Sequence, residues 1–270
     1  AMPPAYARPA TDVPRHLQKA DGDIEALFDR VAPRYDLLNR LLSFSMDVAW
    51  RRLLVEAAGP IDQGQILDCA TGTGDVLFEF LRQLPVTVHG MGIDFSQEML
   101  VRAQAKANRL AYQDRATFRK ANLLDLPFPD GQFEAVSIAF GIRNVSDTAR
   151  GLAEMARVCR PGGRVLVLEF MRQPKTSLRR MTDLYCNHGM PLLAKALAPD
   201  AAAYRYLSAS VEQFLSPGEL VGLMERAGLE DCRATNLFLG IATLHAGTKP
   251  LALGSASLRS GRSPSEEMLS

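Results

Sequence analysis

The chain has 270 residues, 47% of them hydrophobic, enough to bury a full core around one large α/β domain. Lysine plus arginine (31) nearly balances aspartate plus glutamate (30), so the basic surplus of a nucleic-acid binder is absent. Cys69, Cys159, Cys186 and Cys232 lack any C-x-x-C pairing, which argues against a zinc site and a disulfide framework. No run approaches the roughly 18 apolar residues of a membrane span. The expectation is a soluble, cytoplasmic protein.

Residues 1–20 and 251–270 read as flexible tails, the second rich in Ser and Gly with the composition of disorder. Helical patterns cover 23–31, 34–43 and 47–58. A strand at 65–69 and a helix at 75–84 follow, then strand 87–93 and helix 96–110, with Ser96 placed as its N-cap. Next come strands 116–121 and 133–140, helix 147–159, the turn Arg160-Pro161-Gly162-Gly163, and strand 164–170. A mostly helical segment, 175–214, precedes helix 217–227 and two strand-like runs, 230–237 and 240–247. Alternating strands and helices predict a mostly parallel sheet with helices on both faces. The last two runs lack a long connector, so at least one should pair antiparallel.

The stretch Ile66 to Asp75, I-L-D-C-A-T-G-T-G-D, narrows the function most. An apolar strand ends in Asp68, and a small-residue turn with Gly72 and Gly74 opens a helix. That geometry lets backbone N–H groups approach a nucleotide-like ligand. Twenty residues after Gly74 a second strand ends in Asp94, an acid able to accept both ribose hydroxyls. The spacing fits a dinucleotide or S-adenosylmethionine. A G-x-G-x-x-G fingerprint would need glycine at position 77, which is Leu77; the D-x-A-T-G-T-G form instead resembles the first motif of class I methyltransferases.

Ligands in open α/β sheets bind beyond the carboxyl ends of the strands. Four segments sit there: Asp68 to Gly74, Asp94-Phe95, Ala121-Asn122 and Phe140 to Asn144. They should converge on one crevice, with the extra helices as lid and substrate wall. Asp68 is placed to order the loop and receive a ligand's amino group. Phe95 either packs in the core or stacks beside adenine, and Asn122 either makes a turn or bonds the ligand. Arg143 and Asn144 follow an apolar strand into the crevice, which favours a functional pair. Tyr35, between Arg34 and Asp36, is either a packing aromatic or a lid residue. His245 reads as structural, and His16, His89 and His188 have no metal-ligand spacing. No G-x-S-x-G or H-E-x-x-H motif occurs.

Several segments together resemble the quinone-biosynthesis C-methyltransferases, the group of demethylmenaquinone methyltransferase and its ubiquinone-pathway relatives. They are F-D-R-V-A-P-R-Y-D-L-L-N (28–39), L-D-C-A-T-G-T-G-D (67–75), G-I-D-F-S-Q-E-M-L (92–100), L-P-F-P-D-G-Q-F-E-A-V (126–136) and F-G-I-R-N-V-S-D (140–147). R-P-G-G-R-V-L-V-L-E-F (160–170), Y-R-Y-L (204–207) and G-I-A-T-L-H-A-G-T-K-P (240–250) complete the set. The resemblance covers about residues 25 to 250. Its glycine loop is common to many methyltransferases, whereas the opening segment, F-G-I-R-N and the terminal G-I-x-x-L-H are specific.

The resemblance implies a class I S-adenosylmethionine-dependent methyltransferase fold: Rossmann-like, with a mostly parallel sheet, an antiparallel closing strand and helices on both faces. The domain would span 21–250, with lid helices at 21–60 and a helical substrate-side insertion at 175–214. It also implies cofactor contacts at Thr71, Asp94, Asn122, Leu123 and Ala139, the last through backbone because Ala139 stands where the family often has serine. Two further departures are Phe238-Leu239, in place of a common Thr-Gly, and Cys69, in place of a small aliphatic residue.

The implied reaction moves a methyl group to a ring carbon of a reduced, prenylated quinol. A naphthoquinol is favoured over a benzoquinol. Arg143 would stabilise the phenolate, Asn144 or a water would relay the proton, and Tyr35 would close the site. No metal is required. The segment Met190 to Leu197 would line a channel for the prenyl tail, touch a membrane surface, or simply pack. Contact with the inner face of the membrane and assembly as a homo-oligomer stay open; nucleic acid is not an expected partner. The alternatives are another small-molecule methyltransferase and a cofactor-binding regulatory protein without catalysis.

Overall fold

A computed structural model describes residues 46–171, 210–211 and 213–251. In chain order the elements are α1 (Met46–Ala58), β1 (Gly64–Cys69), α2 (Asp75–Gln83), β2 (Val88–Asp94), α3 (Gln97–Arg109) and β3 (Ala116–Lys120). After β4 (Phe133–Ala139) come a 3-10 turn (Ile142–Asn144), α4 (Thr148–Val158), β5 (Cys159–Phe170), α5 (Pro217–Arg226) and β6 (Glu230–Leu237). A second 3-10 turn (Phe238–Gly240) leads into β7 (Ala242–Thr248). The seven strands lie in the order β3-β2-β1-β4-β5-β7-β6. Strands β1 to β5 pair in parallel, and β7 runs antiparallel between β5 and β6. The expected sheet and its antiparallel strand are therefore present.

Alternation along the strands divides the core in two. In β5, Val165 and Val167 pack on one face with α4 and α5 residues such as Leu152, Met155, Leu220 and Met224. Leu166 and Leu168 turn to the other face, against Trp50 and Leu54 of α1 and Leu77, Phe80 and Leu81 of α2. Both faces of the central strands are covered, which is why they read as near-continuous apolar runs.

The helices start where local chemistry supplies an acceptor for their free N–H groups. Ser96 Oγ accepts from Met99 N at 3.2 Å to open α3, and Asp147 accepts from Arg150 N at 3.0 Å to open α4. Helix α5 begins with a reciprocal capping box between Ser216 and Glu219, with Pro217 in its first turn.

One boundary differs from expectation. Strand β5 begins at Cys159, not 164, because the β4–β5 register shifts between Phe133 and Ala135 and takes the expected turn into the strand. Gly162 adopts φ +76° there, and a Cβ on Gly163 would come within 2.7 Å of Glu134 O. The tails, the lid helices before residue 46, and 175–209 of the substrate-side insertion lie outside the described residues, as do Tyr35 and Met190 to Leu197.

Candidate active site

The site is built at the carboxyl ends of β1, β2, β4 and β5. Thr71 N donates to Ile93 O at 2.9 Å, tying the glycine loop to β2. Gly72 N donates to Asp94 Oδ2 at 2.8 Å, and Ala121 N donates to Asp94 O at 3.1 Å. Gly141 closes the ring: a Cβ there would lie 2.6 Å from Ala70 Cβ, so the loop after β4 presses directly on the glycine loop. The four expected segments thus meet in one place.

The loop has the conformation that its small residues permit. Ala70, Gly72 and Gly74 have φ of +49°, +54° and +87°. Glycine is needed most at 74, where a Cβ would also meet the Phe78 ring at 2.7 Å. Two buried acids frame this loop. Asp68 Oδ2 accepts from Thr71 Oγ1 at 2.7 Å, and its Oδ1 accepts from Ser137 Oγ at 2.8 Å. Asp94 accepts from Gly72 N on one oxygen and from Ser96 N, at 2.9 Å, on the other. These bonds fix the orientation of the Asp94 carboxylate at the end of β2.

Burial pushes the Asp68 carboxyl up to about 7, while hydrogen bonds from Thr71 and Ser137 pull the other way. In the unfolded chain an aspartate titrates near 3.9. The folded protein therefore holds the extra proton between about pH 4 and 7, so the contribution of Asp68 to stability is present at low pH and is lost as pH rises. Thermal melts of the ligand-free protein should show this as a fall across that window that Asp68→Asn flattens. Parallel melting curves for the two proteins would mean that Asp68 is ionised throughout.

Asn122 Oδ1 accepts from Leu124 N at 2.9 Å, so its side chain builds the turn after β3. Leu123 points into the core toward Gly151 of α4, which leaves its backbone as the part able to meet a ligand. Phe95 and Ala139 are both half-buried, and Ala139 packs on the α1–α2 side of the sheet.

Arg143 lies in the 3-10 turn after β4, its side chain 7% exposed. Its Nη1 donates to Phe140 O at 2.7 Å and to Glu169 Oε1 at 2.5 Å. Glu169 is fully buried at the end of β5. Burial pushes its carboxyl up, against the opposing pull of Arg143. Asn144 N donates to Gly141 O at 3.0 Å. The same rim carries an aromatic cluster: Phe140 and Phe170 rings 4.6 Å apart, with Trp50 6.2 and 6.1 Å from them. The Arg143 guanidinium carbon lies 5.9 Å from the Phe170 ring centroid. Phe140 takes φ +56°, a strained backbone for an aromatic residue of the kind that clusters at functional sites.

Ser137, Glu169 and the aromatic cluster were not singled out from the sequence. Glu169 had a signal: like Asp68 and Asp94, it is an acid at the end of an apolar strand. His245 is buried, with Nε2 3.2 Å from Pro217 O and its ring pushed down to about 4 by burial. It is a neutral link between β7 and α5, as expected for a structural histidine. Among the described residues no group of histidine, cysteine and acids could hold a metal ion, and no helix is long and apolar enough to cross a membrane.

A parallel sheet with one reversed strand, a left-handed glycine loop and acids ending β1 and β2 define a nucleoside-cofactor methyltransferase fold. Solved structures with this fold include a SAM-dependent methyltransferase from Aquifex aeolicus, with TM-score 0.57 at 17% identity over 79% of this chain and 97% of that one. The [4+2]-cyclase SpnF has TM-score 0.62 at 15% identity over 85% and 96% of the two chains. Likeness at that level establishes the fold alone.

Sequence carries the assignment further. The profile of the ubiE/COQ5 methyltransferase family matches residues 16–249, and the chain belongs to that family. It is 42% identical to the ubiquinone/menaquinone biosynthesis C-methyltransferase UbiE of Geobacter sulfurreducens, over 84% of this chain and 89% of the relative. It is also 43% identical to the demethylmenaquinone methyltransferase of Thermus thermophilus, over 83% of this chain and 100% of the relative.

Proposed function

We propose that this protein transfers a methyl group from S-adenosylmethionine to a ring carbon of a prenylated quinol, demethylmenaquinol being the favoured acceptor. The observation that carries the reading is the buried Arg143 cation in the segment after β4, whose Gly141 packs on the glycine loop, together with membership of the ubiE/COQ5 family. The donor set suits the cofactor. Asp94 offers acceptors for ribose hydroxyls, Asp68 an acceptor for an ammonium group, and the backbone of the left-handed loop room for close approach.

The bound cofactor supplies an electrophilic methyl group on a sulfonium. The chain's part is to make the acceptor carbon nucleophilic and to exclude water. An ordinary phenolic hydroxyl titrates near about 10, so a neutral-pH enzyme must favour its ionised form. Arg143 serves as electrostatic stabiliser, because a guanidinium is a poor base. Asn144, the next residue in the turn, would hold by hydrogen bond the water that takes the hydroxyl proton. With the cofactor bound, that ring carbon would take its methyl group, and the ring proton would leave to water. Phe140 and Phe170, half-buried and backed by the buried Trp50, supply an apolar aromatic wall of the kind that suits a planar ring. Tyr35 is retained as a closing residue on the strength of the family motif alone.

The test is the redox state of the acceptor. Methylation should require a reductant that keeps the quinol reduced, and its rate should rise with pH until the hydroxyl or its relay is deprotonated. Comparable turnover of the oxidised quinone without reductant would rule out the phenolate route. Parallel assays with a naphthoquinol and a benzoquinol would decide the ring.

A further inference from the structure

We propose that Glu169 is the positioning residue for Arg143, gripping its guanidinium and its backbone together so that the Nη2 edge stays available to an acceptor oxygen. This rests on the reading of Arg143 as the stabiliser of the acceptor oxyanion. Glu169 sits in the run V-L-V-L-E-F, where Val165, Leu166, Val167 and Leu168 are all fully buried. A lone carboxylate is costly in such surroundings, and an ion pair there seldom improves on apolar packing. Stability alone therefore gives a poor account of it, and its geometry gives a better one.

Oε1 accepts from Arg143 Nη1 at 2.5 Å and from Phe170 N at 2.9 Å, while Oε2 accepts from Arg143 N at 3.3 Å. One carboxylate thus holds both the side chain and the backbone of the same arginine. Phe140 O, just past the end of β4, accepts from the same Nη1. Nη1 is spent on these two acceptors, and Nε is buried without a partner among the described residues. The remaining donor edge is Nη2. Across the sheet Glu169 is backed by Thr243 of β7, whose hydroxyl donates to Asn236 of β6 at 3.3 Å. The grip is thereby built on three adjacent strands, the rigid support that a catalytic cation needs. Pairing also lets a neutral quinol enter without facing an uncompensated buried charge.

The experiment is a double-mutant cycle on the full chain, with kcat and KM measured on the quinol under reducing conditions. Glu169→Gln keeps the shape and removes the charge. It should lower kcat about tenfold, within the coupling range of contacting residues, with KM for S-adenosylmethionine unchanged. In an Arg143→Ala background the same substitution should have no further effect on kcat. An equal loss in both backgrounds, or normal kcat in Glu169→Gln, would overturn the positioning role while leaving the reading of Arg143 intact. Normal kcat in Arg143→Ala itself would instead remove that reading and the proposal with it. Should the glutamine variant not fold, Glu169→Asp, which keeps the charge but withdraws it by one methylene, enters the same cycle with the same criteria.

Discussion

Replacement of Arg143 by alanine is expected to lower kcat by about 2.7–4 kcal/mol, on the order of a hundred- to a thousandfold, as for loss of one oxyanion donor elsewhere. Affinity for S-adenosylmethionine should stay nearly intact, because Arg143 contacts the loop after β4 and not Asp68 or Asp94. The pattern to look for is a fall in kcat without a rise in cofactor KM, the mark of an interaction made in the transition state. The substitution also leaves Glu169 buried without its cation, a change that typically costs about 3–5 kcal/mol of stability. Turnover should therefore be normalised to folded protein, counted by cofactor titration. Normal kcat per folded molecule would return Arg143 to a structural role.

The second large effect concerns Asp94. Asp94→Ala removes the acceptor proposed for the ribose, on the order of 1.5–3 kcal/mol for hydrogen bonds to a charged group. Calorimetry should show cofactor affinity weakened roughly tenfold or more. Two backbone bonds are lost as well, from Gly72 N and Ser96 N, so the loop and the start of α3 lose their common anchor. Asp94→Asn separates the two effects: it keeps an acceptor for one N–H and should bind better than the alanine variant, yet worse than the native protein. Unchanged affinity in Asp94→Ala would sink the ribose assignment and the crevice with it.

The fold was readable because its signals are local. An apolar run closed by an acid and a glycine pair marks the end of β1, and Ser96 marks the start of α3 through a bond spanning three residues. The convergence of the four loops followed from a general rule about parallel sheets. The partnerships inside the site were not readable. Arg143 meets Glu169 26 positions away, and Asp68 meets Ser137 69 positions away. Nothing local in L-V-L-E-F or A-V-S-I-A says which polar group is buried against which. Asn122 and Leu123 show the same limit at shorter range: a motif marks the place, but only the fold reveals that one side chain closes a turn and the other enters the core.

The reversed strand also decides where the chain departs. Strand β7 runs away from the crevice, and Lys249 is latched at the far pole, its Nζ donating to Arg157 O at 2.9 Å and to Cys159 O at 2.7 Å. Lys249 N donates to Gly163 O, and Gly162 N to Lys249 O. Leu251 thus sits on the side opposite the glycine loop. For anyone anchoring this enzyme to a bead or an electrode, a cysteine placed at the exposed Leu251 is the natural handle: it turns the mouth of the site outward.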